Sequence, residues 1–99
     1  MVAKKGIQEA QLKIEEALCA EFEQRSTSSK VSVFETEWGH LRALIADESF
    51  RGLGPVDRQE RVWSVLRKRV DDAFLVHLAG VHPMDPDEYD RSVAEVKGD

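Results

Sequence analysis

The sequence predicts a small α+β domain in which helices pack on one face of a three-stranded mixed sheet. Apolar residues recur at helical spacing in two long segments, and short apolar runs between and after them have the length of strands. The segment between the second and third strands contains a helix and is long enough for a right-handed parallel crossover. The predicted order is α-β-β-α-β-α, and 99 residues leave room for one such core.

The N-terminal half predicts one helix followed by a β-hairpin. In residues 7–22, apolar side chains recur every three or four positions with Glu and Lys between them, as in an amphipathic helix. A polar connector follows at 25–30. The short apolar runs 31–34 and 41–46 flank a connection that contains Gly39, a residue able to adopt the positive φ of a tight turn. This pattern predicts two strands joined as a hairpin.

A second long helix is predicted after the hairpin. Residues 47–54 form a turn or a short helix, which ends in two glycines. Pro55 suits the first position of a helix, because its missing N–H would have no partner there. Apolar residues then recur at helical spacing over 56–70. This helix provides the crossover that allows the second and third strands to be parallel.

The third strand is predicted over the nearly continuous apolar run 74–81, which is typical of a buried strand. His82 and the proline after it are expected to end this strand. A final helix is predicted immediately afterwards, because Asp85 suits the N-cap, Pro86 the first position and Glu88 the third position of a capping box.

Composition excludes several classes of protein. The chain is 41% hydrophobic and 33% charged, with a formal net charge of -5, which is globular in character and argues weakly against general nucleic-acid binding. No run approaches the ~18 apolar residues of a membrane span, and we expect no secretory signal. A single cysteine, Cys19, excludes an internal disulfide framework and any all-cysteine metal site built by one chain. We expect a cytoplasmic protein, or an organellar one whose transit peptide has been removed.

No catalytic motif is present. The sequence lacks a nucleophile elbow, a phosphate-binding P-loop, an H-E-x-x-H zinc motif and a pair of cysteines at metal-ligand spacing. The G-L-G at 52–54 lacks the third glycine of a dinucleotide-binding fingerprint and is more simply explained as a turn. The many carboxylates lie in surface-like contexts, so paired acid–base catalysis has no support. We therefore expect a protein that is not an enzyme.

The three histidines are the candidate metal ligands. His77 lies inside an apolar run, where a buried imidazole needs a partner, and a core histidine bonded to backbone is the simpler interpretation. His40 opens the second strand, so parallel second and third strands would bring His40 and His77 to one end of the sheet. Two imidazoles suit iron or zinc but need further ligands from a partner. Side chains alternate between the two faces of a strand, so His82 would not lie on the same face as His77. It is more simply a surface residue.

The second helix carries a basic patch that could contact nucleic acid. A solvated face with local ion pairs is the simpler interpretation, because exposed charge on a helix usually faces water. The alternative is binding to phosphates. The candidate residues for that alternative are Arg58, Arg61, Arg67, Lys68 and Arg69.

Three segments in order resemble the BolA-like family. The segment 50–63 matches its pattern F-x-G-x-x-x-V-x-R-x-x-x-V-[YW], and H-L-R-A-L-I-A-D-E-S-F at 40–50 resembles its H-F-K-V-V-V-V-S-E-x-F. V-H-L-A-G-V at 76–81, followed by D-P at 85–86, resembles its I-H-A-L-S-I-K-x-x-T-P. The resemblance covers about residues 31–89.

This resemblance implies a fold similar to the type II KH domain, with a further helix before the third strand, so that the order becomes α-β-β-α-α-β-α. It also implies partnership with monothiol glutaredoxins, in iron–sulfur trafficking or iron regulation. In such complexes a two-iron, two-sulfur cluster is shared with the glutaredoxin cysteine and glutathione. The family's third-strand histidine is a cluster ligand, and His77 matches it.

The sequence departs from the family at three places. The connection between the first two strands lacks a cysteine, so His40 is the only candidate there for a second ligand, and His82 is a weaker one. The R-H-R of many members is R-Q-E at 58–60, and K-x-x-T-P becomes H-P-M-D-P at 82–86. Apo-proteins that receive a cluster are further possible partners.

Two other functions stay open, and one domain is expected. BolA-like proteins have been proposed as transcriptional regulators, which corresponds to the nucleic-acid alternative, although the G-x-x-G loop of KH domains is absent. An adaptor that binds glutaredoxin without contacting the cluster is the third hypothesis. We expect a single domain over residues 1–99, with residues 1–5 and 97–99 disordered.

Overall fold

The sheet has three strands in the order β1-β2-β3. In the computed structural model, residues 2–23 and 29–97 are described, with side chains over 6–23 and 29–92. The strands are β1 (Lys30–Glu35), β2 (Leu41–Ala46) and β3 (Leu78–Met84). β1 and β2 pair antiparallel as a hairpin, whereas β2 and β3 pair parallel. Gly39 has a φ of +82°, as the hairpin turn requires. The predicted mixed sheet is confirmed.

The described part of the chain contains four α-helices. They are α1 (Val2–Leu18), α2 (Pro55–Arg69), α3 (Asp72–Leu75) and α4 (Pro86–Lys97). A π-helical turn over Cys19–Glu23 continues α1, and a 3₁₀ turn over Glu48–Phe50 follows β2. The order α-β-β-α-α-β-α is therefore confirmed, including the helix before the third strand. None of the helices among these residues is long and apolar enough to cross a membrane.

Three predictions concern the two ends of the chain and the polar connector. α1 begins at Val2 and α4 ends at Lys97. Met1 and residues 98–99 lie outside the described part, and disorder of 1–5 and 97–99 in solution stays a prediction. Most of the polar connector 25–30 also lies outside it.

The core lies between one face of the sheet and the apolar sides of α1 and α2. Ile14 of α1, Ile45 of β2 and Leu66 of α2 are fully buried there. Phe50 is also fully buried, with its ring centroid 5.6 Å from that of Phe22. Burial of each such side chain contributes about 1.5–3 kcal/mol. This packing fixes the sheet against the helices and thereby fixes the positions of the strand ends.

The predicted third strand over 74–81 is wrong in its position. Phe74 lies in α3, a turn follows, and the strand runs over Leu78–Met84. Local hydrogen bonds explain the difference, because the Phe74 and Leu75 N–H groups donate to the Asp71 carbonyl and close a helical turn. Both apolar side chains still pack against the core. The apolar run thus correctly indicates that these residues pack against the core. The backbone N–H groups of Phe74 and Leu75, however, form hydrogen bonds within a helical turn and not with a neighbouring strand.

His82 and Pro83 lie within β3 and do not end it, contrary to the prediction. Pro83 is tolerated because β3 is an outer strand of the sheet. Its carbonyl accepts a hydrogen bond from Arg58 of α2, so this residue presents its backbone polar groups away from β2. The missing N–H of proline therefore removes no bond between β3 and β2.

Side chains from the helices cover both outer strands of the sheet. The Gln11 side-chain amide in α1 donates to the Val33 carbonyl of β1 at 2.7 Å. The Gln59 side-chain amide in α2 donates to the Val81 carbonyl of β3 at 2.9 Å. Each outer strand thus has a backbone acceptor satisfied by a glutamine of a neighbouring helix.

α4 begins with the predicted capping box. The Glu88 N–H donates to Asp85 Oδ1 at 2.9 Å, and the Asp85 N–H donates to Glu88 Oε1 at 2.8 Å. These backbone N–H groups favour the charged carboxylates and lower the pKa of both side chains below their ordinary values. The box fixes the chain immediately after β3.

Candidate functional site

The parallel pairing of β2 and β3 brings His40 and His77 to the same end of the sheet. Leu41, the first residue of β2, pairs with Leu78, the first residue of β3. The Leu41 N–H donates to the His77 carbonyl at 2.9 Å. The two histidines therefore directly precede neighbouring strands, as expected from the crossover. We call the segments 36–40 and 76–77 together the histidine end of the sheet.

His77 lies half-buried in the turn between α3 and β3. Its Nε2 points toward α1, because it lies 3.8 Å from the position that a Cβ would take on Gly6. Within the described residues its ring makes no hydrogen bond, and neither ring nitrogen is sealed from solvent without a partner. The simpler interpretation, a core histidine bonded to backbone, therefore does not describe this ring.

His40 is exposed and follows the hairpin turn. Thr36 fixes the backbone at this position through two hydrogen bonds. The Thr36 N–H donates to the His40 carbonyl at 2.7 Å, and the His40 N–H donates to Thr36 Oγ1 at 3.3 Å. No hydrogen bond holds the imidazole itself among the residues that the structure describes. The backbone at His40 is thus fixed beside that of His77, while its imidazole is exposed to solvent.

His82 lies apart from the histidine end, on the face of the sheet opposite the core. Its Nε2 is 2.8 Å from Nη1 of Arg42 on the neighbouring strand. A guanidinium group only donates hydrogen bonds, so Nε2 accepts and the proton lies on Nδ1. Partial burial, reinforced by the positive charge of Arg42, lowers the pKa of His82. This ring is thus already engaged and is not brought together with His77.

The lowered pKa of His82 predicts a pH-dependent stability. The unfolded chain takes up a proton on this ring as the pH falls through 6.5, whereas the folded chain resists protonation until a lower pH. The contribution of His82 to the free energy of unfolding is therefore fully present above pH 6.5, and it is lost as the pH falls toward the lowered pKa. In His82→Gln, whose amide oxygen can still accept from Arg42, urea denaturation should show less loss of stability between about pH 7 and about pH 5.

A matched control is His40→Gln, because that ring is exposed and has no hydrogen bond within the described residues. It should keep the wild-type dependence of unfolding free energy on pH. If His82→Gln retained the full wild-type dependence of stability on pH, the contact between His82 and Arg42 would not be the source of that dependence.

Arg58 belongs to the fold and not to an open basic surface. Its side chain is only 16% exposed. Nε donates to the Leu53 carbonyl at 3.0 Å, and Nη1 donates to Glu88 at 2.8 Å and to the Pro83 carbonyl at 3.3 Å. This one guanidinium joins the start of α2, the outer edge of β3 and the start of α4. Few of its donors remain for a phosphate.

The other basic residues of α2 are not gathered around Arg58. Arg69 Nη2 pairs with Glu21 Oε1 at 3.1 Å and thereby joins the end of α2 to the π-helical turn. Arg61 is exposed in the second turn of the helix, while Arg67 and Lys68 are exposed in the last turn. The predicted basic patch is therefore divided into a structural arginine, an ion-paired arginine and three exposed side chains.

Cys19 offers no thiolate at neutral pH. Burial, together with a hydrogen bond and the negative charge of Glu23, raises the pKa of this thiol to about 11. The thiolate is the form that binds metals and attacks electrophiles. Cys19 therefore remains a protonated packing residue at the end of α1.

The histidine end does not form a complete metal site by itself. No group of three or more His, Cys, Asp or Glu side chains suited to one ion occurs among the described residues. Imidazole is a ligand that iron and zinc both accept. His40 and His77 are the candidate imidazole ligands at this end of the sheet, where their backbones are adjacent.

Two exposed apolar side chains flank the histidines, and sequence reasoning missed both. Trp38 in the hairpin turn is 79% exposed, and Val76 immediately before His77 is 74% exposed. The signal for Trp38 was available, because the tryptophan lies in the polar turn sequence E-T-E-W-G-H. Val76 was hidden by the incorrect strand assignment. Single exposed apolar side chains are common on protein surfaces, and these two are notable because each lies close in the chain to a candidate ligand.

Comparison with known proteins adds no family or relative. A scan against models of protein families found no match, and a search of curated proteins found none either. Function therefore has to follow from the fold and from the side chains at the histidine end.

Proposed function

We propose that this chain is a BolA-like partner of monothiol glutaredoxins, and that His77 contributes a ligand to a two-iron, two-sulfur cluster in the heterocomplex. The order of helices and strands agrees with that family's fold. The observation that carries the proposal is the Leu41–His77 backbone hydrogen bond, which aligns His40 and His77 at one end of two parallel strands. The proposed role is binding and not catalysis, in the cytoplasm or an organelle.

The chemistry of the chain's own residues supports a shared cluster. His77 offers an unengaged imidazole, and His40 offers a second one on a fixed backbone. Cys19 cannot contribute, because its raised pKa keeps it protonated. The resemblance to the BolA-like family implies that the thiolate ligands come from the glutaredoxin cysteine and glutathione. When bound, such a cluster is transferable cargo for an apo-protein, and this chain holds it in place through nitrogen.

The surface around the histidines supports a protein partner. Trp38 and Val76, which lie two residues before His40 and directly before His77 in the chain, expose apolar area. Aromatic side chains often contribute most of the binding free energy at an interface. Covering them would remove water from the metal site. Trp63, the second tryptophan, is half-buried and donates to Gln59 at 3.2 Å, so it does not compete for this role.

The proposal is tested by mixing the chain with a holo monothiol glutaredoxin. We expect a change in the visible absorption and circular dichroism of the cluster, together with a heterodimer in size-exclusion chromatography. A heterodimer without a spectral change would indicate the adaptor function, in which the cluster is not contacted. No heterodimer and no spectral change would contradict the proposal.

Nucleic-acid binding is the alternative, and the exposed side chains of Arg61, Arg67 and Lys68 are the observation in its favour. Its test is the dependence of DNA affinity on salt, because each neutralised phosphate adds to the slope of log affinity against log salt. Charge reversal at Arg67 and Lys68 would then remove most of a steep slope. We expect weak DNA binding and no effect of this double variant on the glutaredoxin complex.

A further inference from the structure

A cleft of about 470 Å³ lies between the start of α2, the outer edge of β3 and the start of α4. Its apolar lining is provided by Leu53, Pro55, Val81, Pro83 and Met84. Small-molecule sites in proteins are mostly apolar clefts of roughly 300–1,000 Å³ with a few polar groups that orient the ligand. This cleft has that size and composition. It adjoins the second half of β3, whereas the two histidines of the histidine end precede β2 and β3.

The charged groups that line the cleft are paired with each other. Arg58 Nη1 donates to Glu88 Oε1 at 2.8 Å, and the two side chains are 16% and 36% exposed. The Asp85 N–H also donates to Glu88 Oε1, and together with Arg58 it lowers the pKa of Glu88, so this carboxylate is ionised at neutral pH. His82, whose pKa is also lowered, is neutral there. A charged ligand would therefore meet a like charge of the Arg58–Glu88 pair at short range.

Both members of this pair keep hydrogen-bonding capacity. Arg58 uses Nε and Nη1 for its bonds within the described residues, and Nη2 donates to none of them. Glu88 accepts through Oε1, and Oε2 accepts from none of them. A guanidinium group only donates and a carboxylate only accepts. An uncharged group that carries one acceptor and one donor, such as an amide, complements both.

We propose that this cleft binds an uncharged small molecule with an apolar body and an amide group, and that the Arg58–Glu88 pair excludes charged ligands. Glu88 is the residue that determines this specificity, because its carboxylate neutralises Arg58. A carboxylate ligand would compete with Glu88 for the same guanidinium. The site does not depend on the histidine end or on the partnership with a glutaredoxin.

Three probes of similar shape and different charge test this selectivity in the wild-type chain. Benzamide is neutral, benzoate is an anion and benzamidine is a cation. Binding is followed at neutral pH by two-dimensional NMR of the isotope-labelled protein. We expect benzamide to shift the backbone amide signals of Gln59 and Val81 with a Kd of about 1 mM, as is reasonable for so small a ligand. Benzoate and benzamidine should bind about tenfold more weakly.

Glu88→Gln is expected to change the selectivity in favour of the anion. The glutamine keeps an oxygen that can accept from Arg58 and from the Asp85 N–H, and glutamine also suits this position of a capping box. The charge of Arg58 is then no longer neutralised. We expect benzoate to bind about tenfold more tightly than it binds to the wild type, while the affinity for benzamide changes little.

Asp87→Asn is the matched control, because it removes the same charge from the neighbouring position. The Asp87 side chain is 69% exposed and pairs with Arg51, and it does not line the cleft. All three affinities should stay at their wild-type values in this variant. Far-ultraviolet circular dichroism checks that both variants are folded, and the comparison of the three probes on the wild type needs no variant.

Four results would overturn the proposal. The first is benzamide that leaves the signals of the cleft residues unchanged up to its solubility limit. The second is a wild-type chain that binds benzoate or benzamidine more tightly than benzamide. The third is an unchanged affinity for benzoate in folded Glu88→Gln. The fourth is an equal gain for benzoate in Asp87→Asn, because the charge of the whole surface, and not the Arg58–Glu88 pair, would then set the selectivity.

Discussion

Replacing His77 with alanine is expected to abolish the visible circular dichroism of the heterocomplex while lowering the free energy of unfolding of the isolated chain by only about 1 kcal/mol. The ring makes no hydrogen bond in the described part of the fold, so its loss leaves no partner unsatisfied. In the proposed heterocomplex His77 would form its metal–nitrogen bond only when the partner is bound, and losing that bond should favour a glutaredoxin homodimer with two cysteines and two glutathiones. Urea denaturation and visible spectroscopy on one variant measure both effects.

The matched control for this experiment is His82→Ala. That histidine lies away from the histidine end and contacts Arg42, so its loss should leave the cluster spectrum intact. His40→Ala should give a smaller spectral change than His77→Ala, because His40 is proposed only as the second ligand and its ring is exposed. A His77→Ala variant that lost about 2 kcal/mol or more of stability and kept the wild-type spectrum would identify a core residue instead.

Replacing Arg58 with alanine is expected to lower the free energy of unfolding by about 2 kcal/mol, because the change leaves partly buried acceptors without a donor. The Leu53 and Pro83 carbonyls both lose the guanidinium, and Glu88 loses its partner beside the capping box of α4. Loss of these bonds also separates α2 from the edge of β3. Thermal and urea denaturation of the isolated chain would measure this decrease in the free energy of unfolding.

Arg67→Ala is the matched control for Arg58, since it removes the same side chain from an exposed position in the same helix. We expect its effect on stability to be close to zero, as for most surface substitutions. Equal stability of the two variants would show that Arg58 does not join α2 to α4. A large loss of DNA affinity in a fully stable Arg58→Ala variant would instead favour the nucleic-acid alternative.

Elements with strong local signals were predictable from the sequence. The hairpin followed from two apolar runs around Gly39, and α2 followed from Pro55 and the helical spacing after it. The capping box at Asp85 and Glu88 formed as predicted, because both residues that it needs are close in sequence. These features depend on interactions within a few residues.

The position of the third strand was not predictable, for a physical reason. Residues 74–81 are nearly all apolar, and burial alone does not distinguish a strand from a helical turn. The Asp71 carbonyl accepts two local N–H groups and commits Phe74 and Leu75 to α3. Strand pairing then begins at Leu78, whose partner Leu41 is far away in sequence.

The candidate site was predictable only in part. Parallel strands joined by a crossover have their starts at one end of the sheet, and this rule alone predicts that His40 and His77 lie together. The position of the His77 ring next to α1 at Gly6 was not predictable, because it depends on how α1 lies across the turn before β3. The role of Arg58 was hidden for the same reason, since its acceptors come from three separate segments.

The two glutamines that cover the outer strands limit how this molecule can recognise anything. Gln11 and Gln59 occupy backbone carbonyls that an incoming strand would otherwise use, and Pro83 removes a donor from the same outer edge as Gln59. Extension of the sheet by a foreign segment, whether from a ligand peptide or from an aggregating copy, is disfavoured at both sides. A partner of the kind proposed here would therefore have to bind through side chains and not through added strand pairing.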